Sequence, residues 1–303
     1  MSTDRDGIAA IVVTYHPDFD TLGTLFALLS PQVGKLIVVD NGTGPAMASW
    51  LATQSPTNLV TIALAENRGL AAAQNLGIAE ARKHGMQFVL LSDQDSLPAG
   101  NMVEKLHAAL LAARAVGKMI AAVGPRYDDI HQGGLNPFVR IRGLLKYRFD
   151  CTAPGTVVEV DHLISSGSLI PIEVLDDIGN MAEELFIDYI DTEWCLRAWR
   201  NDYALLGVCD ATMRHGLGDQ PNYFCGRYVP VHKPFRHYYL FRNALWLMGR
   251  PGLPIGWKIA TLRRLILVFG YFMLLGPQRF VRLRMMTKGF YDGLRKRMGP
   301  MPG

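Results

Sequence analysis

Two acidic clusters carry the chemistry this sequence could perform. In "HGMQFVLLSDQDSLPAG", an apolar run at 88–91 passes straight into Asp93 and Asp95. Buried carboxylates are costly without partners, so the pair is expected at the exposed end of a strand, where it can meet a divalent cation. The second cluster is "ELFIDYIDTEWCLRAWRNDY". A helix starting near Ile190 places Asp191 in its first turn, where a carboxylate is tolerated and can point at a ligand, while Trp194, Cys195 and Ala198 form the buried stripe. Asp191 is therefore the candidate general base, able to take a proton from an incoming hydroxyl.

The elements that must position these acids alternate between strand and helix. "IAAIVVTY" is a buried-strand run, residues 21–29 read as a helix stopped by Pro31, and "KLIVVDN" is the next strand. "LVTIAL" follows, then a helix over 70–84 closed by Gly85, then "FVLLSD". This order implies an α/β fold with a mostly parallel central sheet flanked by helices. Ligands bind such sheets beyond the carboxyl ends of the strands. There stand Thr14, Tyr15 and His16, then Asp40, Asn41 and Gly42, then Glu66, Asn67, Arg68 and Gly69, then Asp93 and Asp95. Asp40 can accept from a base N–H or a ribose hydroxyl, Arg68 can pair with a diphosphate, and Asp93 with Asp95 can hold a metal. The set looks like a nucleotide-diphosphate site without a phosphate-cradling glycine loop, since neither GxxxxGK[ST] nor GxGxxG follows the first strand.

Past residue 100 the alternation fades. "AAVGPRYDD" reads as a strand with its exit loop, 132–150 as a mobile segment rich in Gly and Arg, and "HLISSGSLIP" as a strand whose Ser165, Ser166 and Gly167 allow close backbone approach. "PIEVLDDIG" is a short helix with Pro171 near its start. "YALLGVCDATMRHG" is a further strand that delivers His215 toward the acids, and "HKPFRHYYLFRNALWL" adds Arg236, Tyr239 and Arg242. Taken singly, each motif has a bland explanation: "SDQDS" is usually a solvated turn, a lone histidine a hydrogen-bonded structural one, and paired tyrosines core. Their order along the chain is what outweighs those explanations.

The chain has 303 residues, 49% of them hydrophobic and 19% charged, enough for one large domain plus an appendage. Its net charge of +4 is unevenly divided. Residues 258–297 hold ten Lys or Arg against one acid, Asp292, so the rest of the chain is mildly acidic. A basic, apolar tail suggests an anionic surface as its partner, and no nucleic-acid reader motif accompanies the charge. The run "LILVFGYFMLL" spans ~17 Å as a helix, short of a ~30 Å hydrocarbon core. Flanked by Arg263, Arg264, Arg279, Arg282 and Arg284, it suits a helix lying in the interface of an anionic leaflet. Cys151, Cys195, Cys209 and Cys225 show no metal-ligand spacing and no disulfide framework, so a reducing cytosol is expected. The N-terminus has acids where a signal peptide would be basic.

The ordered series "IVVTYHPD", "VVDNGTG", "ENRGLAAAQNLGI", "LLSDQDS", "ISSGSLI", "FIDYIDTEWCLRA", "MRHGLG" and "RHYYLFRN" resembles the family 2 glycosyltransferases of the GT-A fold, and within them the bacterial rhamnosyltransferases. The resemblance implies a catalytic domain over 1–247, with a Rossmann-like nucleotide-binding half, and a C-terminal helical, membrane-associating region over 248–303. It implies an inverting, metal-dependent transfer of L-rhamnose from dTDP-L-rhamnose to a lipid-linked or growing O-antigen-like glycan, at the cytoplasmic face of a bacterial inner membrane. By the same resemblance, Asp191 is the base, with Asp188 and Glu193 as neighbouring acids. Thr14, Tyr15, Asp40, Asn67, Arg68 and Asp93 would line the donor, and Asp95, Asp93 and His215 would hold Mg²⁺ or Mn²⁺. Ser166, Gly167, Trp194, Glu193, Arg236, Tyr239 and Arg242 would contact acceptor or diphosphate. The alternatives are a galactofuranosyltransferase using a UDP-sugar, a haloacid-dehalogenase-like phosphatase with Asp93 as nucleophile, and a non-catalytic glycan-binding scaffold.

Overall fold

The computed structural model describes residues 4–129, 135–142, 145–149, 151, 153–215, 220–224 and 227–302. Its first half is built from β1 (Ile8–Thr14), α1 (Phe19–Leu29), β2 (Lys35–Asp40), α2 (Pro45–Leu51), β3 (Leu59–Ala63), α3 (Leu70–Lys83), β4 (Phe88–Asp93), β5 (Leu97–Pro98) and α4 (Met102–Ala115). Strands β3, β2, β1 and β4 are parallel neighbours. Every residue of β1 is buried, with Ile8, Ala10 and Val12 packed into one core and Ala9, Ile11 and Val13 into the other. A strand covered on both faces reads as a continuous apolar run rather than an alternating one. α1 starts where Asp18 accepts a hydrogen bond from the Thr21 amide, a side-chain N-cap. The sequence-based start at 21 is two residues late because Phe19 and Asp20 already lie inside that cap.

The second half continues the sheet with a change of direction. It comprises β6 (Ile120–Asp129), β7 (Phe138–Arg142), β8 (Leu145–Phe149), β9 (Val157–Val160), β10 (Leu169–Pro171), α5 (Ile172–Ile178), α6 (Ile190–Arg200), β11 (Ala204–His215), β12 (Gln220–Phe224) and β13 (Arg227–Val231). Strand β10 inserts antiparallel between β4 and β6, and β11 runs parallel to β6. The sheet order is β3-β2-β1-β4-β10-β6-β11-β5, with β9 also on β11. The stretch expected to be mobile carries the antiparallel hairpin β7–β8 in its described part, while 132–134, 143, 144 and 150 lie outside the described residues.

Register places the acids. Thr14 is level with Asp40, and Val13 with Asp93, so β1, β2 and β4 end on one rim. Because β10 arrives from the opposite direction, the turn before it meets the same rim. Gly167 donates to the Leu91 carbonyl, Leu91 to that of Ser168, and the Asp93 amide to the Ser166 hydroxyl. Gly167 has φ +83, and a Cβ there would lie 2.6 Å from Pro125, so a side chain would push the turn off the strand.

Three helices finish the chain: α7 (Phe235–Met248), α8 (Ile255–Leu274) and α9 (Arg279–Leu294). Leu265, Phe272 and Met286 share a hydrophobic cluster with Tyr189, Leu196, Phe241, Ala244 and Leu247, which ties the tail to α6 and α7. The apolar run at 265–275 is thus the second half of a longer helix whose first half carries Lys258, Arg263 and Arg264. No described helix is long and apolar enough to cross a membrane. Arg282, expected among the cations that meet an anionic leaflet, is only 3% exposed. It donates to the carbonyls of Pro277 and His232 and to His237 Nδ1, and lies over the Phe272 ring. Cys151 and Cys209 form a disulfide, which corrects the expectation of unpaired cysteines, because β11 and the segment after β8 meet across 58 residues of sequence. Cys195 is free and buried, its thiol pushed up to about 12 by burial; Cys225 lies outside the described residues.

Candidate active site

Asp93 closes β4, and the following residues turn so that β5 pairs with Met213 and Arg214 of β11. That short pairing brings His215, the next residue of β11, against the turn. Asp93, Asp95 and His215 each offer one ligand atom, all within 4.8 Å of one another. His215 Nε2 is 3.9 Å from Asp93 Oδ2, and Nδ1 is 3.7 Å from Asp95 Oδ1. Burial pushes the Asp93 carboxyl up to about 6; His215 opposes the rise, while the charges of Asp95 and Asp191 add to it. Two carboxylates that repel one another beside an imidazole gain from a shared cation, and oxygen-rich sets of this kind suit Mg²⁺ or Mn²⁺.

Beneath the triad runs a buried hydroxyl chain. Ser166 Oγ accepts from the Asp93 amide and lies 2.7 Å from Ser96 Oγ, which is 2.8 Å from His215 Nδ1. If Nδ1–H donates to Ser96, the Nε2 lone pair is left for a cation, the usual way an outer partner fixes a ligating imidazole. Ser96 stands inside the "SDQDS" motif but carries no sequence signal of its own. Ser166 is 1% exposed and braces this chain instead of reaching a ligand.

The rim at β2 and β3 is equally interlocked. Asp40 accepts from the Thr14 hydroxyl and from the amides of Thr43 and Gly44, using three of about four lone-pair positions. Thr14 is fully buried, so it orients Asp40 and does not itself face a donor. Asn67 Oδ1 accepts from Asn41 Nδ2 and the Gly69 amide, and Asn41 Oδ1 accepts from the Arg68 amide. This leaves the Arg68 side chain exposed at the rim. Tyr15 is exposed too, its backbone gripped by the Gln94 amide group at both N–H and C=O. Gln94, the middle residue of the acidic motif, therefore couples the ends of β1 and β4.

Asp191 lies in the first turn of α6 as expected, and Trp194, Cys195 and Ala198 are buried. Its two neighbouring acids are each held by an arginine. Asp188 is held by Arg236 at 2.5 Å, and Glu193 by Arg197 at 2.7 Å. Asp191 meets no Arg or Lys among the described ion pairs; His162 Nε2 lies 3.4 Å from its Oδ2. Thr192 donates to its Oδ1 from the amide at 2.7 Å and from the hydroxyl at 3.3 Å. Burial raises its carboxyl, but His162 and these hydrogen bonds outweigh burial and leave it below the ordinary value. An acid so held stays ionised and ready to accept a proton.

The loop before α6 is strained and clamped. Phe186, Asp188 and Tyr189 all have φ between 64 and 66, unusual for residues with side chains. Asn243 donates to the carbonyls of Leu185, Ile187 and Asp188, and Arg242 to those of Leu185, Glu184 and Gly299. Gly69, at φ +90, lets α3 approach this loop: a Cβ would lie 2.7 Å from the Phe186 ring. Four expected acceptor contacts are corrected here. Arg242 is fully buried in the clamp; Tyr239 stacks on Phe186 and accepts from the Met301 amide. Trp194 is 3% exposed with its indole N–H on the Gly179 carbonyl, and Glu193 locks α6 through Arg197. Arg236, paired with Asp188, stays near enough to the acids to lower Asp93. Asn243 and His162 were invisible as site residues because only the fold brings them to the base.

The chain is similar to known proteins along most of its length. The model of glycosyl transferase family 2 matches residues 10–163. The dTDP-rhamnosyl transferase RfbF of Shigella flexneri is 33% identical over 252 residues, 83% of each chain. The chain belongs to glycosyl transferase family 2. The galactofuranosyltransferase GlfT1 of Mycolicibacterium smegmatis is 25% identical, covering 93% of this chain and 96% of the relative. Among solved structures, S. aureus TarS 1–349 in complex with UDP-GlcNAc superposes with TM-score 0.58 at 14% identity, over 96% of this chain and 82% of TarS. GalNAc-T7 with UDP, GalNAc and Mn²⁺ gives 0.56 at 12% identity, over 95% of this chain and 56% of that one. These structural likenesses support the GT-A fold. Family membership and the RfbF likeness remove the phosphatase and scaffold alternatives.

Proposed function

We propose that the chain transfers L-rhamnose from dTDP-L-rhamnose to a lipid-linked or growing surface glycan of the O-antigen kind, with inversion at the anomeric carbon. The observation that carries this is the division of labour between two acid groups: a cation-seeking Asp93–Asp95–His215 triad and an ionised Asp191. The likeness to RfbF supports the donor. Mg²⁺ or Mn²⁺ held by the triad would neutralise charge building on the leaving diphosphate. Asp40, Asn67 and the exposed Arg68 and Tyr15 face the donor side. Asp191 takes the proton of the acceptor hydroxyl as its oxygen bonds to the anomeric carbon, and the bond from that carbon to the diphosphate oxygen breaks with its electron pair going to the diphosphate. No covalent enzyme intermediate is required.

The region over 248–303 is assigned to the membrane surface, at the cytoplasmic face of a bacterial inner membrane. On α8, Ile255, Ile259, Leu262, Ile266 and Phe269 recur at helical spacing and are exposed, beside exposed Arg263 and Arg264. An apolar stripe flanked by cations suits an interfacial helix on anionic lipid. A second donor is favoured by one observation, the GlfT1 likeness across almost the whole chain, which would make the donor a UDP-sugar. A panel of sugar nucleotides with Mn²⁺ or Mg²⁺, read by thermal shift and nucleotide release, decides between them. Response to dTDP-rhamnose, lost in Asp95→Ala, is the expected result; response to UDP-sugars alone would overturn the rhamnose assignment.

A further inference from the structure

We infer that His162 is a positioning residue of the base, holding Asp191 through Thr192; this rests on Asp191 being the base. His162 follows β9 on the segment that leads into the Ser165–Ser166–Gly167 turn, so the segment whose turn seats the Asp93 amide also delivers the imidazole to Asp191. Its Nε2 lies 3.2 Å from Thr192 Oγ1 and 3.4 Å from Asp191 Oδ2. The Thr192 hydroxyl has a single hydrogen, and Asp191 Oδ1, which when ionised can only accept, stands 3.3 Å away to receive it. Its oxygen must then accept, which assigns the hydrogen to His162 Nε2. The carboxylate is thus held at Oδ1 by Thr192, which the imidazole N–H orients, while the ring stands beside Oδ2 at 3.4 Å.

Two consequences follow from electrostatics. The imidazole offsets the burial of Asp191, helping to keep its carboxyl below the ordinary value, and it restricts rotation of a side chain that no Arg or Lys fixes among the described ion pairs. Other titratable groups coupled to Asp191 are Asp93 from β4 and, on or beside α6, Tyr189 and Cys195; Arg236 of α7 acts on Asp93 in turn, Arg264 of α8 and Asp188 on Tyr189, and Glu193 on Cys195. Asp161, beside His162 in the chain, lies 3.9 Å from Arg140. His162 itself is 41% exposed, so its removal leaves the core intact.

The test uses the full chain, dTDP-L-rhamnose and Mn²⁺, reading dTDP release with water as acceptor across pH, with thermal unfolding alongside. Asp191→Asn is the frame: release lost in it carries the base assignment, and release retained sinks that assignment whatever His162 does. With the frame intact, His162→Ala should lower kcat roughly tenfold or more, with KM for the donor and the unfolding temperature unchanged. The acid limb of its pH profile should move to higher pH, since Asp191 loses the group that keeps it ionised, and His162→Gln, which can still donate to Thr192, should recover much of kcat. Unchanged kcat and acid limb in His162→Ala would overturn the inference. So would a fall in kcat without movement of the limb, or equal damage in both variants accompanied by a lowered unfolding temperature.

Discussion

Asp93 and Asp191 are both partly buried aspartates near one rim, yet their carboxyls are displaced in opposite directions, one up to about 6 and the other below its ordinary value. Opposed displacement of paired acids is how one site separates cation-binding from proton-accepting roles. Asp191→Asn should therefore reduce transfer by about 10²- to 10⁴-fold while nucleotide binding, read by calorimetry, persists. For Asp93 the sign is fixed by its raised value: without cation, the folded state is favoured by the protonated acid and loses that stabilisation as pH rises through about 6. A cation competes with that proton. The thermal shift produced by Mn²⁺ should accordingly be small below pH 6 and grow above it; a shift independent of pH would show that Asp93 is not a ligand.

At the scale of elements, the base is placed by a clamp and not by α6 alone. Three residues with positive φ precede the helix, a costly arrangement that persists only where surrounding contacts over-determine it. Asn243 supplies three of those contacts from one amide group. Asn243→Ala should destabilise the protein by about 1–3 kcal/mol in denaturant unfolding, because buried carbonyls lose their donor. Activity should fall further than stability alone explains, since Asp191 follows the loop directly. The disulfide between Cys151 and Cys209 belongs to this scale too, fastening the segment after β8 to the strand that carries His215.

Across the whole molecule, the C-terminal helices are joined to the catalytic half. Gly299 donates to the Glu184 carbonyl, Arg242 reaches the Gly299 carbonyl, and α9 leans on α7 through glycines: a Cβ on Gly289 would meet the Tyr238 carbonyl oxygen at 2.2 Å. The tail's outer face keeps the apolar stripe exposed. Leu262→Glu together with Ile266→Glu should weaken cosedimentation with anionic phospholipid vesicles at least tenfold, given about 1.5–3 kcal/mol per buried aliphatic side chain. Binding of the unaltered chain should fall as salt screens the arginines. Equal binding by the double variant would place the membrane surface elsewhere.

The sequence by itself determined the strand order through β4 with the helices α1 and α3, though not the short α2, the ends of those strands as the polar rim, the helix that presents Asp191, and the family. Apolar runs and turn residues are local signals, and a first-turn acid needs only its own helix. What the tertiary structure alone decided depends on contacts between distant segments: β10 entering antiparallel, β5 steering His215 to the acids, Asn243 bracing the base loop, and His162 reaching Asp191. It also decided against local expectation, turning Thr14, Ser166, Trp194, Glu193, Tyr239 and Arg242 from ligand contacts into supports and drawing Arg282 inward. A polar side chain at a buried position must satisfy its hydrogen bonds where the fold puts it, and residue type alone does not say whether a ligand or a carbonyl will be there.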